Sequence, residues 1–103
     1  MSTTVIEDNP GAQRYELLVD GTIASLTEYR LHGHVADFVH TETREGFGGE
    51  GFGTRLIRAA LDDARRRGWQ VRPFCPFVKR FMVEHPEYQD LVPPADRADF
   101  FPG

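Results

Sequence analysis

Five glycines fall within eight positions in the run G-F-G-G-E-G-F-G, Gly46 to Gly53, between an apolar β-branched stretch and a strongly periodic helical one. This loop is the strongest constraint in the chain, because it fixes a strand–loop–helix unit at its centre. Glycine reaches positive φ at little cost and has no Cβ to hold a ligand away from the backbone. The helix that follows offers unpaired N–H groups and the positive end of its dipole. Together they predict an anion cradle, with a phosphate or pyrophosphate as the natural guest.

At 103 residues the chain fits one compact domain with no room for a second core, so any activity has to live on one small scaffold. Forty per cent apolar residues, eight Phe and 27% charged residues describe an ordinary soluble globular protein. No apolar run approaches the roughly 20 residues that cross a bilayer, and no leader-like segment is expected at the N-terminus. A formal charge of −4 argues against a general nucleic-acid binder, which would carry a basic surplus. Arg65, Arg66 and Arg67 are the local exception. They follow Asp62 and Asp63, which pair with Arg66 and Arg67 at i, i+4 spacing, and they suit the end of a helix dipole, so they read as a solvated helix end. A single cysteine makes no internal disulfide, and a reducing cytoplasm is the simplest setting. No internal repeat or interdomain linker is visible. A monomer or weak homodimer is expected.

Residues 1–12 are polar and carry Asn9-Pro10-Gly11, which reads as a flexible N-terminal lead. A strand-like run extends from Arg14 to Val19. Asp20-Gly21, between it and the run from Thr22 to Leu31, is a hairpin signal, since both turn residues tolerate positive φ. Gly33 breaks the pattern, and Val35 to Thr41 is apolar and β-branched enough for a third strand packed on both faces. An antiparallel meander therefore leads into the glycine loop. Beyond the loop, Leu56, Ile57, Ala60, Leu61 and Ala64 form one helical stripe, and Gly68 is a good terminator. Trp69 to Phe74 reads as a strand, parallel to the third because a helix crosses between them. Pro76 suits the first turn of a second helix with Phe77, Val78, Phe81 and Met82 on one face, stopping near His85 because the residue before Pro86 avoids the α region. The predicted class is α/β with a mixed sheet, a domain over residues 13–92 and a tail over 93–103 whose Phe100 and Phe101 dock on the body or on a partner.

Read literally, Gly46 to Gly51 matches the dinucleotide fingerprint G-x-G-x-x-G. That fingerprint needs an acidic residue about 20 positions on, inside a larger parallel sheet. Here that neighbourhood is Gln70, Val71 and Arg72, and the strands before the loop are antiparallel. No Gly-Lys-Ser/Thr follows, which excludes a Walker loop. The acyl-CoA loop pattern R/Q-x-x-G-x-G/A fits better, with its last two fixed positions at Gly51 and Gly53. The stretch V-H-T-E-T-R-E-G-F-G-G-E-G-F-G-T-R-L is followed by C-P-F-V from Cys75 to Val78, H-P-E-Y from His85 to Tyr88, and D-L-V from Asp90 to Val92. Taken jointly, these resemble the short single-domain branch of the GNAT N-acetyltransferase superfamily, over residues 14–92.

The resemblance implies acetyl-CoA as cosubstrate, no metal, and a GNAT-like sheet. Its two parallel strands, Val35 to Thr41 and Trp69 to Phe74, would splay apart to admit the pantetheine arm. The pyrophosphate would sit on main-chain amides of Gly48, Gly49, Glu50, Gly51, Phe52, Gly53 and Thr54. Gly48 stands where the family carries Arg or Gln, so a side-chain contact is missing while the amides remain.

Acetyl transfer needs an amine freed of its proton, a polarised thioester carbonyl and a way to accommodate the leaving thiolate. Alternation along the third strand puts Phe38, His40 and Glu42 on one face and Val39 and Thr41 on the other. His40 and Glu42 are then neighbours, and the resemblance implies a general base at Glu42, acting directly or through water. The plain alternatives are a solvated strand end and a half-buried histidine. Cys75 precedes Pro76 where a strand ends and a helix starts, a place where a helix dipole favours thiolate. It is a candidate nucleophile or a group near the thioester, against a buried corner-filling role. The tyrosine that many family members carry on the last helix as an acid is replaced by Phe81 and Met82. Tyr88 is a substitute in type, although the H-P-E-Y corner reads more as a lock that docks the end of the chain. His32 and His34 flank Gly33 without a nearby third ligand and read as a solvated hairpin end.

The predicted function is an acetyl-CoA-dependent N-acetyltransferase that passes acetyl directly to an amine acceptor, whether a protein, a peptide or a small polyamine, with no nucleic-acid or membrane partner. The alternative is a non-catalytic acyl-CoA binding or sensing module, favoured by the missing tyrosine and by Gly48. Larger family members carry two further helices between their first strands. Asp20-Gly21 replaces them here with a tight turn, so the acceptor cleft is expected to be open.

Overall fold

The structure, a computed structural model, describes residues 2–103. Five strands form one mixed sheet in chain order: β1 (Thr4–Asn9), β2 (Arg14–Val19), β3 (Thr22–His32), β4 (Val35–Thr43) and β5 (Gln70–Pro73). The first four run antiparallel, and β4 and β5 run parallel. Helix α1 (Phe52–Arg66) crosses from β4 to β5, α2 (Pro76–Glu84) follows β5, and the short α3 (Arg97–Phe100) lies near the end. The expected hairpin between β2 and β3 forms with Asp20 at φ 49° and Gly21 at φ 84°, the left-handed pair that matches the twist of flanking strands.

Within the flexible lead expected over residues 1–12, Thr4–Asn9 instead forms an edge strand. β1 pairs with β2 from Thr4↔Val19 to Asn9↔Arg14. Ile6 packs on the core, while Asp8 accepts the Tyr29 hydroxyl at 2.7 Å and faces the Arg67 guanidinium at 3.1 Å. A polar residue therefore holds a core-facing strand position, with partners from β3 and the end of α1.

Both long helices cover the same face of the sheet. Leu56, Ile57, Ala60, Leu61 and Ala64 of α1 and Val78, Phe81 and Met82 of α2 are buried in one cluster with Leu17, Phe38 and Val71 of the strands. Full burial of each large aliphatic side chain there is worth about 1.5–3 kcal/mol. Tyr15, Tyr29 and Phe38 form an aromatic patch in the same cluster, with ring centroids 5.5 to 6.4 Å apart. The opposite face carries ion pairs: Arg14 meets Glu16 at 2.6 Å, and Arg72 grips Asp37 at 2.6 and 2.8 Å. β4 was expected to pack on both faces, but burial ends at Phe38, and Val39 and His40 are exposed.

The H-P-E-Y corner ties the chain end to both helices. Gln89 Nε2 donates to the Met82 carbonyl at 3.0 Å at the end of α2, and the Phe81 carbonyl accepts both the His85 N–H at 2.9 Å and His85 Nδ1 at 2.8 Å. Arg65 forks onto Asp90 with two 2.9 Å bonds. The tail docks on the body, with Phe100 edge-on to Phe74 at 5.2 Å.

Candidate functional site

Two separate constraints, left-handed backbone and close packing, shape the glycine loop. Gly46, Gly49 and Gly51 have φ of 89°, 83° and 73°, which side chains rarely adopt. Gly51 immediately precedes α1 and supplies no side-chain cap, so the first N–H groups of the helix have no side-chain partner there. Gly53 is needed for another reason: a Cβ there would lie 3.0 Å from Cζ of Phe77. Gly48 meets neither constraint, since nothing lies within 4 Å of an added Cβ and its φ is ordinary.

The loop encloses a cavity of about 190 Å³. Gly48, Gly49, Gly51, Phe52, Gly53 and Thr54 line it, together with Thr43, Phe47 and Phe77; Glu50 does not. This space lies at the parted end of the parallel pair. The β4–β5 ladder runs from Val35↔Gln70 to Phe38↔Pro73 and stops there, with one further tie from Cys75 N–H to the Phe38 carbonyl at 2.8 Å. β4 then runs on to Thr43, beside the cavity, while the chain leaves β5 for α2. The two strands part toward the glycine loop.

The face assignment along β4 needs correction. His40 stands opposite Glu28 and Phe38 opposite Tyr29, so Val39 is an extra residue in a β-bulge. The bulge shifts the alternation, and Phe38 and His40 point to opposite faces. Phe38 and Thr41 face the helices, and His40 and Glu42 face the open side. The His40–Glu42 pair itself forms, with Nε2 3.0 Å from Oε1, and Arg44 lies 3.4 Å from the other carboxylate oxygen. The hydrogen bond from His40, helped by the charge of Arg44, lowers the Glu42 pKa below its ordinary value despite an opposing desolvation effect.

On the helix side, Cys75 is 4% exposed, and its thiol donates to Thr41 Oγ1 at 3.4 Å. Thr41 shares a 2.9 Å hydrogen bond with Thr27. Cys75 and the His40–Glu42 pair therefore flank β4 from opposite faces and do not form one cluster. Tyr88 is turned away from both. Its hydroxyl donates to Asp62 at 2.7 Å, and burial, followed by that bond, raises its pKa. His32 Nε2 lies 3.4 Å from Asp37, which Arg72 already holds, and His34 accepts from Gln70 N–H through its carbonyl at 2.7 Å. Among the described residues, no three His, Cys, Asp or Glu side chains are grouped to hold a metal ion.

Sequence reasoning passed over Thr41, Phe77, Arg58 and Arg80. Asp62 and Glu84 follow the two arginines by four residues and suggest neutralised helix pairs. In the folded chain Asp62 accepts Tyr88 instead, and Arg80 makes no ion pair with Glu84.

The model of the GCN5-related N-acetyltransferase family matches residues 14–91. The chain belongs to that family and is an acyltransferase enzyme. Its fold is similar to the NMR solution structure of a GCN5-like candidate N-acetyltransferase from Staphylococcus aureus, with a TM-score of 0.68 and 22% identity over 90% of this chain and 91% of that one. A looser likeness, with a TM-score of 0.45 and 19% identity, is to a ribosomal-protein-alanine N-acetyltransferase from Brucella melitensis biovar Abortus 2308, covering 82% of this chain and 66% of that one. Comparison with curated protein sequences finds no match. No helix among the described residues is long and apolar enough to cross a membrane.

Proposed function

We propose that the protein binds acetyl-CoA with its diphosphate on the amides of residues 48–54 and its thioester between β4 and β5, and transfers the acetyl group directly to an amine. The observation that carries this reading is the glycine-lined cavity at the parted end of the two parallel strands. Free N–H groups and a helix dipole stabilise an anion there, and Thr43 continues the cavity wall along β4. The amine, a protein, peptide or small polyamine, approaches from the helix-free face, where Glu42 stands. Its nitrogen attacks the thioester carbonyl, the C–S bond breaks, CoA departs as thiolate, and the amine proton passes to Glu42 directly or through water. The lowered pKa keeps Glu42 ionised through the neutral range, so protonation of this base should limit kcat/KM only below the usual carboxylate range. A buried lone thiol suits a reducing cytoplasm, and monomer or weak homodimer is the expected state.

The second reading, a non-catalytic acyl-CoA module, is favoured by Tyr88, whose proton is committed to Asp62. Thiol release from acetyl-CoA across an amine panel, followed beside intact mass of the protein, separates the readings. Release should require an amine, no acetyl adduct should appear on the protein alone, and Glu42→Gln should lower kcat/KM about 100-fold. An adduct on Cys75 would overturn direct transfer, and saturable binding without turnover for any amine would leave the module.

A further inference from the structure

Most arginines in this chain are neutralised by carboxylates within salt-bridge distance, and Arg97 holds two main-chain carbonyls. Among the described residues Arg55, Arg58 and Arg80 form no such ion pair, and all three border grooves that adjoin the glycine cavity. Arg80 lines a groove of about 240 Å³ between α1 and α2 with Thr54, Phe77, Phe81 and Glu84. Arg58 reaches over the Phe81 ring from α1, its guanidinium carbon 5.3 Å from the centroid. Thr54 and Phe77 belong to this groove and to the glycine cavity alike, so the two spaces are neighbours across one aromatic wall. In a protein of net charge −4, unpaired cations gathered beside an anion cradle are a local reversal of the overall field.

We propose that this groove is a second phosphoryl subsite that takes the 3′-phosphorylated adenosine end of the carrier, an inference that rests on reading the glycine cavity as the diphosphate site. Arg80 and Arg58 hold the 3′-phosphate, for which a guanidinium fork is well matched. Phe77, exposed at the groove, offers a ring against which the adenine lies. Glu84 puts a negative charge in the same groove, so the phosphate is held toward Arg58 and Arg80. The side-chain cation that the loop lacks at Gly48 is thereby replaced by arginines from the two helices.

The test compares acetyl-CoA with acetyl-3′-dephospho-CoA by calorimetric titration at one ionic strength, using the wild type, Arg80→Ala and Arg80→Lys. Arg80 is exposed, and a thermal unfolding scan should show all three proteins equally folded. The wild type should prefer the 3′-phosphorylated carrier about tenfold. Arg80→Ala should reduce that preference to about twofold by weakening acetyl-CoA alone, and Arg80→Lys should recover part of it. Equal wild-type affinities for both carriers would overturn the subsite and leave the diphosphate reading standing. An equal loss for both carriers in Arg80→Ala would also overturn it, as simple electrostatic attraction. Binding of neither carrier would remove the underlying reading as well.

Discussion

At the C-terminal end of α1 the arginines are tied down: Arg65 to Asp90, Arg66 to Asp63, and Arg67 to Asp63 at 3.0 Å and Asp8 at 3.1 Å, with its guanidinium over Trp69. At the N-terminal end Arg55 and Arg58 have no carboxylate partner among the described residues, Gly51 provides no side-chain cap, and three nearby glycines adopt left-handed φ. One helix thus has a satisfied end and an unsatisfied one. Uncapped amides cost stability. The network at the far end offsets that cost, pulling β1, β3 and the helix together around Asp8 and Asp63. Burial, then the hydrogen bond to Asp63, holds Tyr15 well above the ordinary phenol range, so its hydroxyl remains a donor to Asp63. The contrast separates the part of the chain that holds the fold from the part left open to a ligand.

The separation can be attacked at several points. Asp63→Ala removes the acceptor of the Tyr15 hydroxyl and the partner of two arginines, and should cost about 2–3 kcal/mol in chemical unfolding while leaving acetyl-CoA affinity within about twofold. A parallel collapse of affinity would show that the two ends are not independent. Tyr88→Phe breaks the bond to Asp62 and should cost about 1 kcal/mol with kcat unchanged. A fall in kcat without a matching loss of stability would give Tyr88 a catalytic role. The smallest effect should come from Gly48→Arg, where open space surrounds the new side chain. Affinity should improve about threefold with stability unaltered, and weaker binding would place position 48 against the ligand.

The hairpin at Asp20-Gly21, the α1 stripe, and the start of α2 at Pro76 were legible because each rests on local rules of turn chemistry, periodicity and proline geometry. β1 was not legible, because Asp8 breaks the apolar alternation and its partners Tyr29 and Arg67 lie far along the chain. The bulge at Val39 escaped for a related reason: it is set by pairing with β3, and nothing in V-A-D-F-V-H announces it. Its consequence was larger than one residue, since it placed His40 and Glu42 on one side of β4 and Cys75 on the other. The loop glycines were all visible as a group. Their separate reasons, left-handed φ at Gly49 and Gly51 and the Phe77 ring at Gly53, emerged only from the folded chain.

Calorimetric titration of acetyl-CoA into the wild type and into Gly51→Val tests the central claim most directly, with unfolding measured on both. The wild type should bind saturably in the micromolar range. Gly51→Val should lose at least about 100-fold in affinity, since branched methyls meet the phosphates, while strain at the left-handed φ of 73° costs about 1–2 kcal/mol of stability. No heat of binding to the wild type at millimolar acetyl-CoA, or equal affinity in the two proteins, would contradict the account.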